Sequence, residues 1–368
     1  MTDSVDTVVV GAGPAGLRAA QVLAEGGREV VVLEKNSEVG PKTCAGGLTL
    51  KSVFELSSFG PVEDLGLARP SNRRASSDHD FGEVGLARPF LTEISFRGER
   101  PAPMDPSNSV VHTVARRALG AWQLSLTLAA GAEVLTGVVA SQIDLESRSL
   151  MIDGRRVRFR SLIGADGATS GVRRALGLPD RREIFAGEYN VYGVQRDELI
   201  ALCDSAELGG GYFWVFPHAE YTSVGAMVHK DVVAPGRVRP YLERRLVELG
   251  IDRGETPYEG AIIGTEYVGV EFPNSTYLVG DAAGLASSLS GEGIYAALIS
   301  GEEVARSILE PGYPRPKLES WLRSKAVQDA VARLWLRRGP RLASFAILPL
   351  LFRQRWTRRW ISHLLLRP

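Results

Sequence analysis

Residues 8–34, VVVGAGPAGLRAAQVLAEGGREVVVLE, limit most severely what this chain can fold into. An apolar run meets a glycine turn, an alanine- and leucine-rich helix follows, and a second apolar run ends on the acid Glu34. Gly11, Gly13 and Gly16 stand at G-x-G-x-x-G spacing directly after the first run. In that pattern the first glycine allows a tight turn, the second lets backbone approach a pyrophosphate, and the third lets the helix pack on the strand. The helix amino terminus then offers free N–H groups and the positive end of its dipole to the phosphates. A carboxylate at Glu34, closing the second strand, suits the two ribose hydroxyls of an adenosine and repels a 2′-phosphate. The unit predicts an α/β chain that holds a dinucleotide, and by itself leaves open which one.

The 368 residues suffice for two domains or one large one with a substantial core. A chain 44% hydrophobic and 23% charged is neither disordered nor a multispan membrane protein. Its formal net charge of zero hides an asymmetry: beyond Asp329 there are nine arginines and no acid, so the rest carries a balancing negative excess. With only Cys44 and Cys203 there is no disulfide framework, and a reducing cytoplasm is expected. The first strand begins too near Met1 for a signal peptide, and no apolar run approaches the roughly 18 residues that span a bilayer. The sequence thus predicts a cytoplasmic protein.

Past Glu34 comes KNSEVGPKTCAGGLT (35–49), a polar loop at the carboxyl edge of a sheet, where α/β proteins bind ligands. It carries Lys35, Cys44, Gly46 and Gly47; as residues alone, the glycines equally suit an ordinary turn. Residues 57–89 lack periodicity and read as an exposed loop around 71–80. His79 and His112 have no partners at metal spacing, so no metal site is expected. Strands are expected from Phe90 and at 110–114, then a helix opened by Arg116 and Arg117, then short strands at 134–139 and 150–152 with a turn between them. SLIGADGATSGVRRALGL (161–178) reads as a strand ending near Asp166 and Gly167, with a helix behind it that Asp166 could simply cap.

Residues 185–230 read as antiparallel strands, and in GGYFWVFP (210–217) Tyr212, Trp214 and Phe216 alternate onto one face ahead of Pro217. That face suits either a sandwich core or the apolar wall of a ligand pocket. A helix is expected over 237–249. In STYLVGDAAGLASSLSGEGIYAALISGEEVARSIL (275–309) a strand reaches Gly280 and Asp281, and Ser290-Gly291-Glu292-Gly293 opens a long helix. The tail, 331–368, mixes arginine, leucine and tryptophan around FAILPLLF, which fits a basic-faced core helix pair or an interfacial membrane anchor better than a nucleic-acid surface.

Three stretches together resemble the flavoproteins of the geranylgeranyl reductase family, which share an FAD fold with the aromatic hydroxylases. GAGPAGLRAA (11–20), with Pro14 and Ala15, is similar to the first FAD motif of that family; GADGATSGVR (164–173) resembles the second, and GDAAGLASSLSGEGIYAAL (280–298) the third. The resemblance implies that Asp166 and Gly167 approach the pyrophosphate and a ribose, that Asp281 holds the ribitol, and that Gly280, Gly291, Gly293 and Ile294 line the cofactor. It implies a cofactor role for Arg116, although Leu119-Gly120 replaces the family's Phe-Asp pair. PKTCAGGLT resembles the reductases' cysteine–glycine segment beside the flavin, and YFWVFP their Y-x-W-x-F-P wall over the substrate.

The resemblance implies an α/β chain (α+β overall): a Rossmann-like FAD-binding domain (1–56, 115–180 and 271–310), an inserted antiparallel-sheet substrate domain (57–114 and 181–270) and a basic helical segment (311–368). The implied activity is saturation of C=C bonds in a polyprenyl lipid or prenyl quinone by hydride from reduced FAD, with NADPH or ferredoxin as outside reductant. The resemblance further implies that Cys44 delivers the proton or gates flavin reduction, and that Gly46, Gly47, Tyr212, Trp214, Phe216 and Pro217 bind substrate. The tail implies a peripheral position on the inner face of the membrane; no nucleic acid is expected, and the oligomeric state is open. The rivals are a flavin monooxygenase using the same motifs, and a flavin- or lipid-binding regulator without turnover.

Overall fold

The computed structural model describes residues 4–65, 93–94, 102–103, 111–179, 184–196, 199–202, 204 and 207–336. Strand β1 (Ser4–Val10) runs through the glycine turn into α1 (Pro14–Glu25), which returns the chain to β2 (Val30–Glu34). Then come β3 (Gly47–Thr49), α2 (Leu50–Ser57), β4 (Glu93–Ile94), β5 (Ala102–Pro103) and β6 (Val111–Thr113). Helix α3 (Arg116–Ala129) leads to β7 (Glu133–Thr136), β8 (Ser141–Asp144), β9 (Ser149–Ile152), β10 (Arg155–Gly164) and α4 (Gly171–Ala175). The next set is β11 (Ile184–Tyr192), β12 (Ile200–Leu202), β13 (Tyr212–Pro217), β14 (Tyr221–His229), α5 (Val238–Glu248) and β15 (Glu259–Ile263). The chain closes with β16 (Glu271–Phe272), β17 (Thr276–Leu278), α6 (Ile294–Leu309) and α7 (Pro316–Leu336).

One sheet has the order β16-β17-β10-β1-β2-β7, in which β17, β10, β1, β2 and β7 run parallel. Parallel strands covered on both faces need continuous apolar runs, and all of β2 is buried. Val8, Val9, Leu17, Leu23, Val32, Ile163, Leu278 and Ile299 make the fully enclosed centre of this core. Helices α1 and α6 lie close together because Gly301 has no side chain; a Cβ there would stand 2.2 Å from the carbonyl oxygen of Ala15. A buried ion pair, Arg18 to Glu302 at 3.0 Å, joins the same two helices.

The second sheet, β12-β13-β14-β11-β15, is antiparallel. Its two faces do different work, as the alternation in 210–217 predicts. Tyr189, Phe213, Val215 and Val224 pack beneath α5 against Tyr241, Leu242 and Leu246. Trp214, Phe216, Ile184, Ala186 and Met227 turn the other way, towards Val111 and Ala45.

Several expectations need correction. The strand at 134–139 stops at Thr136, and β8 occupies part of the interval expected to be a turn. Strand β10 starts six residues before Ser161, its outer half alternating buried Val157 and Phe159 with exposed Arg158 and Arg160. Gly47–Thr49 is a short strand rather than loop, paired antiparallel with β6. In 57–65, for which the sequence offers no pattern, Phe59, Val62 and Leu65 are buried with Leu119 and Trp122, whose indole N–H donates to the Pro61 carbonyl at 3.1 Å. Residues 66–89 and the tail beyond Leu336 lie outside the described residues.

Candidate active site

The first two FAD-type motifs meet at the carboxyl ends of β1 and β10. Gly11 has φ +106°, and a Cβ on it would lie 2.4 Å from the Ala165 carbonyl oxygen, so the turn after β1 and the turn after β10 touch backbone to backbone. Gly16 sits over this contact, where a Cβ would come within 2.0 Å of the Gly11 oxygen. Gly13 differs: nothing lies within 4 Å of the position its Cβ would take, and the same holds at Gly167. Pro14 and Ala15 begin α1 directly behind this opening. Its amino-terminal N–H groups are thus presented to open space at the sheet edge.

Glu34 is buried and fastens the turn, accepting from the Ala12 amide at 2.9 Å and the Asn36 amide at 3.0 Å. Lys35 beside it is exposed. Asp166 partly fulfils the simple capping role: one oxygen accepts from the amides of Gly171 at 2.6 Å and Val172 at 3.3 Å. Its other oxygen is buried without a partner. Burial pushes this carboxyl upward, against those amide bonds and the Ser170 hydroxyl. Arg116 is likewise buried, with Nε and Nη1 unpartnered. The free oxygen of Asp166, next to the open Gly167, suits a hydroxyl, and the unpartnered nitrogens of the buried Arg116 suit a phosphate, so these residues fit a dinucleotide.

In the third motif Gly280 packs against α1, with its Cβ position 3.2 Å from that of Ala15, and its amide donates to the Ser300 hydroxyl at 3.0 Å. Asp281 receives Lys42 at 3.1 Å and faces Gly293, whose Cβ position lies 3.1 Å from its Oδ1. The Ser290–Gly293 segment leads into Ile294, the first residue of α6. Glu292 within it is anchored by a buried ion pair with Lys51 at 2.9 Å and by the Thr49 hydroxyl at 2.6 Å. Lys51 in turn stacks over Trp321 of α7 at 4.4 Å.

The Cys44 loop lies in the seam between the two sheets. A Cβ on Gly46 would collide with the Val114 oxygen at 2.5 Å and the His218 ring at 2.6 Å, and one on Gly47 with the Phe216 ring at 2.7 Å. This glycine pair lets the loop lie close on His218 and on the Phe216 ring of the aromatic strand, and the Pro217 carbonyl accepts from the Thr113 hydroxyl of β6 at 2.6 Å. Trp214 crosses the bare backbone of Gly225, where a Cβ would be 2.1 Å from the indole. Trp214 and Phe216 are buried, Tyr212 only half so, and the Tyr212 hydroxyl donates to the Ser290 carbonyl at 2.9 Å. The cysteine loop, the aromatic strand and the third motif are thereby bonded to one another.

The feature not foreseen from the sequence is Glu188 of β11. It is fully buried on the face shared by Ala186 and Ile184. Its carboxylate accepts from the Cys44 amide at 2.7 Å and from the Ser223 hydroxyl at 2.9 Å, and Ser223 accepts from the Trp214 indole at 2.9 Å. Burial raises its pKa from 4.5 to about 7, against the bonds from Ser223, Cys44 and Asn190 and with the help of nearby Glu259. His218 was also missed. It meets the Ala45 carbonyl at 2.9 Å and stacks on Tyr221 at 4.3 Å, and burial pushes it down to about 4, so it is neutral. The only hint of Glu188 in the sequence is a lone acid in the middle of an apolar strand.

With the geometry in place, comparison with known proteins is decisive. The FAD binding domain family matches residues 4–231. Digeranylgeranylglycerophospholipid reductase 1 of Methanopyrus kandleri is 30% identical over 334 residues, spanning 83% of this chain and 81% of that protein. The chain belongs to the geranylgeranyl reductase family. It is an FAD-dependent oxidoreductase. A further member of this wider group, the menaquinone reductase of Mycolicibacterium smegmatis, is 31% identical over 341 residues, 85% of this chain and 78% of the other. Among solved structures, the geranylgeranyl bacteriochlorophyll reductase-like protein of Thermoplasma acidophilum has the same fold, with TM-score 0.73 and 21% identity over 100% of this chain and 97% of that one.

A cleft of about 650 Å³ opens elsewhere, at the amino ends of the parallel strands, lined in part by Asp6, Arg28, Arg160 and Glu271. It lies at the opposite end of the sheet from the family's cofactor cradle. Among the described residues no cluster suits a metal ion, and no helix is long and apolar enough to cross a membrane.

Proposed function

We propose that this protein saturates C=C bonds in a polyprenyl lipid or a prenyl quinone. The observation that carries the reading is the glycine pair, Gly47 seated on the Phe216 ring and Gly46 on His218, which brings the Cys44 loop against an apolar aromatic strand. A prenyl chain offers only apolar surface, so rings supply contact without any polar group to desolvate. Relatives named for a digeranylgeranyl glycerophospholipid and for menaquinone support the same substrate class.

Bound FAD, reduced by an outside donor such as NADPH or ferredoxin, supplies the hydride. The chain's own residues do the rest. Gly13, Gly167 and Arg116 receive the pyrophosphate, Glu34 and Asp166 the ribose hydroxyls, and Asp281 the ribitol. The amino end of α6, reached through Gly291 and Gly293, would offer its positive dipole to the charge of a reduced flavin. Tyr212, Trp214 and Phe216 orient the alkene and keep water out, which an unactivated double bond requires. Cys44 delivers the proton to the alkene carbon that does not take the hydride.

The arginine-rich tail supports attachment to an anionic membrane surface, where a long-chain lipid resides. The reading is tested by lipid mass spectrometry of cells with and without the gene. Loss of the protein is expected to leave prenyl species lighter by two hydrogens per unreduced bond. An unchanged lipid profile would overturn the reading, and oxygenated products in place of saturated ones would favour the monooxygenase.

A further inference from the structure

Helix α7 is turned inside out. Its buried face carries Trp321, Lys325, Gln328 and Ala332, and both Lys325 and Gln328 are only 1% exposed. The polar groups of that face are bonded to the segment behind the helix, where four consecutive residues each meet one residue of α7. The Trp321 indole and the Lys325 ammonium donate to the carbonyls of Leu285 and Ala286, while Gln328 and Asp329 accept from the hydroxyls of Ser287 and Ser288. The opposite face is apolar and bare. Val327, Val331 and Leu334 are 46%, 39% and 57% exposed, and Ala326 and Ala330 lie exposed between them. Their i, i+4, i+7 spacing joins them into one stripe. Other large apolar side chains exposed among the described residues, such as Leu128, Val139 and Val247, stand singly, as they do on any soluble surface.

Charge and size decide what covers the stripe. Asp329 is the last acid of the chain, and nine arginines follow it. Arg333 is exposed beside the stripe, and the stripe ends at Leu334, where this basic stretch is under way. Apolar side chains bordered by arginines complement an anionic lipid surface. A second copy of the chain fits poorly. A two-fold interface would set the same arginines against one another, and five side chains of this size fall well short of the roughly 800 Å² per partner that a stable dimer buries.

We propose that the outer face of α7 seats this protein on an anionic bilayer, with Val327, Val331 and Leu334 entering the boundary between headgroups and acyl chains. This rests on the membrane attachment proposed above and gives it a place within the folded chain. The inner face of the same helix holds residues 285–288, which lead to Ser290, and the Ser290 carbonyl accepts from Tyr212 of the aromatic strand at 2.9 Å. A helix is roughly 10 Å across, so the lipid surface lies about one helix diameter from that segment. Seating on this face keeps the aromatic strand near the bilayer, from which a prenyl chain is costly to withdraw into water.

The test uses the full-length, FAD-loaded protein and vesicles of equal parts phosphatidylglycerol and phosphatidylcholine, with no prenyl lipid present. Co-sedimentation is compared for wild type, for the triple variant Val327→Gln, Val331→Gln, Leu334→Gln, and for Val247→Gln as control. It is measured at low salt and again at about 0.5 M salt, where screening weakens the arginines. The triple variant keeps every arginine, so a loss of partitioning of roughly tenfold or more is expected at both salts, with the control like wild type. Should the triple variant not fold, Val327→Gln and Leu334→Gln made singly are each expected to lower partitioning roughly two- to threefold. Wild-type partitioning in the variants would overturn the assignment and leave the tail as the anchor. A wild type that ignores the vesicles at both salts would overturn the assignment and the attachment together. Light scattering reads the rival occupant: a wild-type dimer that the triple variant turns into a monomer would give the face to a second copy and overturn the assignment. Because no turnover is measured, failure of the prenyl-reductase reading would not mimic any of these outcomes.

Discussion

Glu188 Oε1 stands 2.7 Å from the Cys44 amide nitrogen, so an inner strand of the antiparallel sheet is bonded to the loop that leaves the Rossmann-type sheet. Two sheets with separate cores meet at this contact, and the carboxyl making it is the most perturbed acid in the seam with a pKa near neutrality. Its ionisation links the stability of the protein to pH.

Glu188 is raised in the folded state, so folding retains a proton that the unfolded chain releases near pH 4.5. Its stabilising contribution is complete below that pH and is lost as pH rises through about 7. At 1.4 kcal/mol per pKa unit the loss amounts to at most roughly 3 kcal/mol. Urea unfolding of the FAD-loaded protein should show a lower midpoint at pH 8.0 than at pH 5.5, and Glu188→Gln should shrink that difference. Asp166, also raised by burial, contributes in the same direction and persists in the variant. An equal pH dependence in both proteins would contradict the burial argument.

The glycines of the first turn should separate by mechanism. A methyl group at Gly16 meets the Gly11 oxygen at 2.0 Å, so Gly16→Ala should destabilise the protein even without cofactor, by several kcal/mol. Gly13 has no neighbour within 4 Å and adopts an ordinary φ of −77°. Gly13→Ala should therefore melt like the wild-type apoprotein yet bind FAD at least tenfold more weakly. Differential scanning fluorimetry with flavin titration checks both. A destabilised Gly13→Ala apoprotein would show that the turn is not preformed.

Helix α7 clamps the third motif. The buried Lys325 ammonium donates to the carbonyls of Thr265 at 2.6 Å and Ala286 at 2.9 Å and to Asp329 at 3.1 Å, while Gln328 and Asp329 receive the hydroxyls of Ser287 and Ser288. Lys325→Met leaves those acceptors without their cation and should cost about 3 kcal/mol. It should also loosen FAD, since the same segment leads to Gly291 and Gly293. A melting temperature within a degree of wild type would show that α7 merely leans on the site.

Cys44→Ala should retain bound flavin, because the Cys44 contact to Glu188 is made by the backbone amide and survives the substitution. Prenyl reduction should fall by about a hundredfold or more, the usual contribution of a positioned acid. Flavin absorbance against turnover, measured together with Cys44→Ser, decides the matter. Wild-type turnover in both variants would remove the cysteine from the chemistry.

Local chemistry was legible in the sequence and distant contact was not. Gly11, Gly13, Gly16 and Glu34 reveal their strand–turn–helix unit because the turn's needs lie within 27 residues of chain. The single face shared by Trp214 and Phe216 follows from strand alternation. Strand β8, SQID, was hidden by its polarity, since it lies at the exposed margin of the sheet. The outer half of β10 was hidden by arginines that alternate to solvent. Glu188 acquires meaning only from a loop 144 positions away, and no local pattern encodes that meeting. Of the two readings of Asp166, the structure shows the capping of α4 by one oxygen, while the other oxygen is buried without a partner.

The central claim is reduction of a prenyl double bond, and one anaerobic experiment addresses it directly. The FAD-loaded protein is reduced with one equivalent of dithionite and mixed with vesicles containing a digeranylgeranyl phospholipid, while flavin absorbance and lipid mass are followed together. The account predicts that the oxidised flavin spectrum returns at a rate set by lipid concentration, with each flavin turned over adding two hydrogens to the prenyl chains. Flavin that stays reduced over the lipid, beside an unchanged lipid mass, would contradict it.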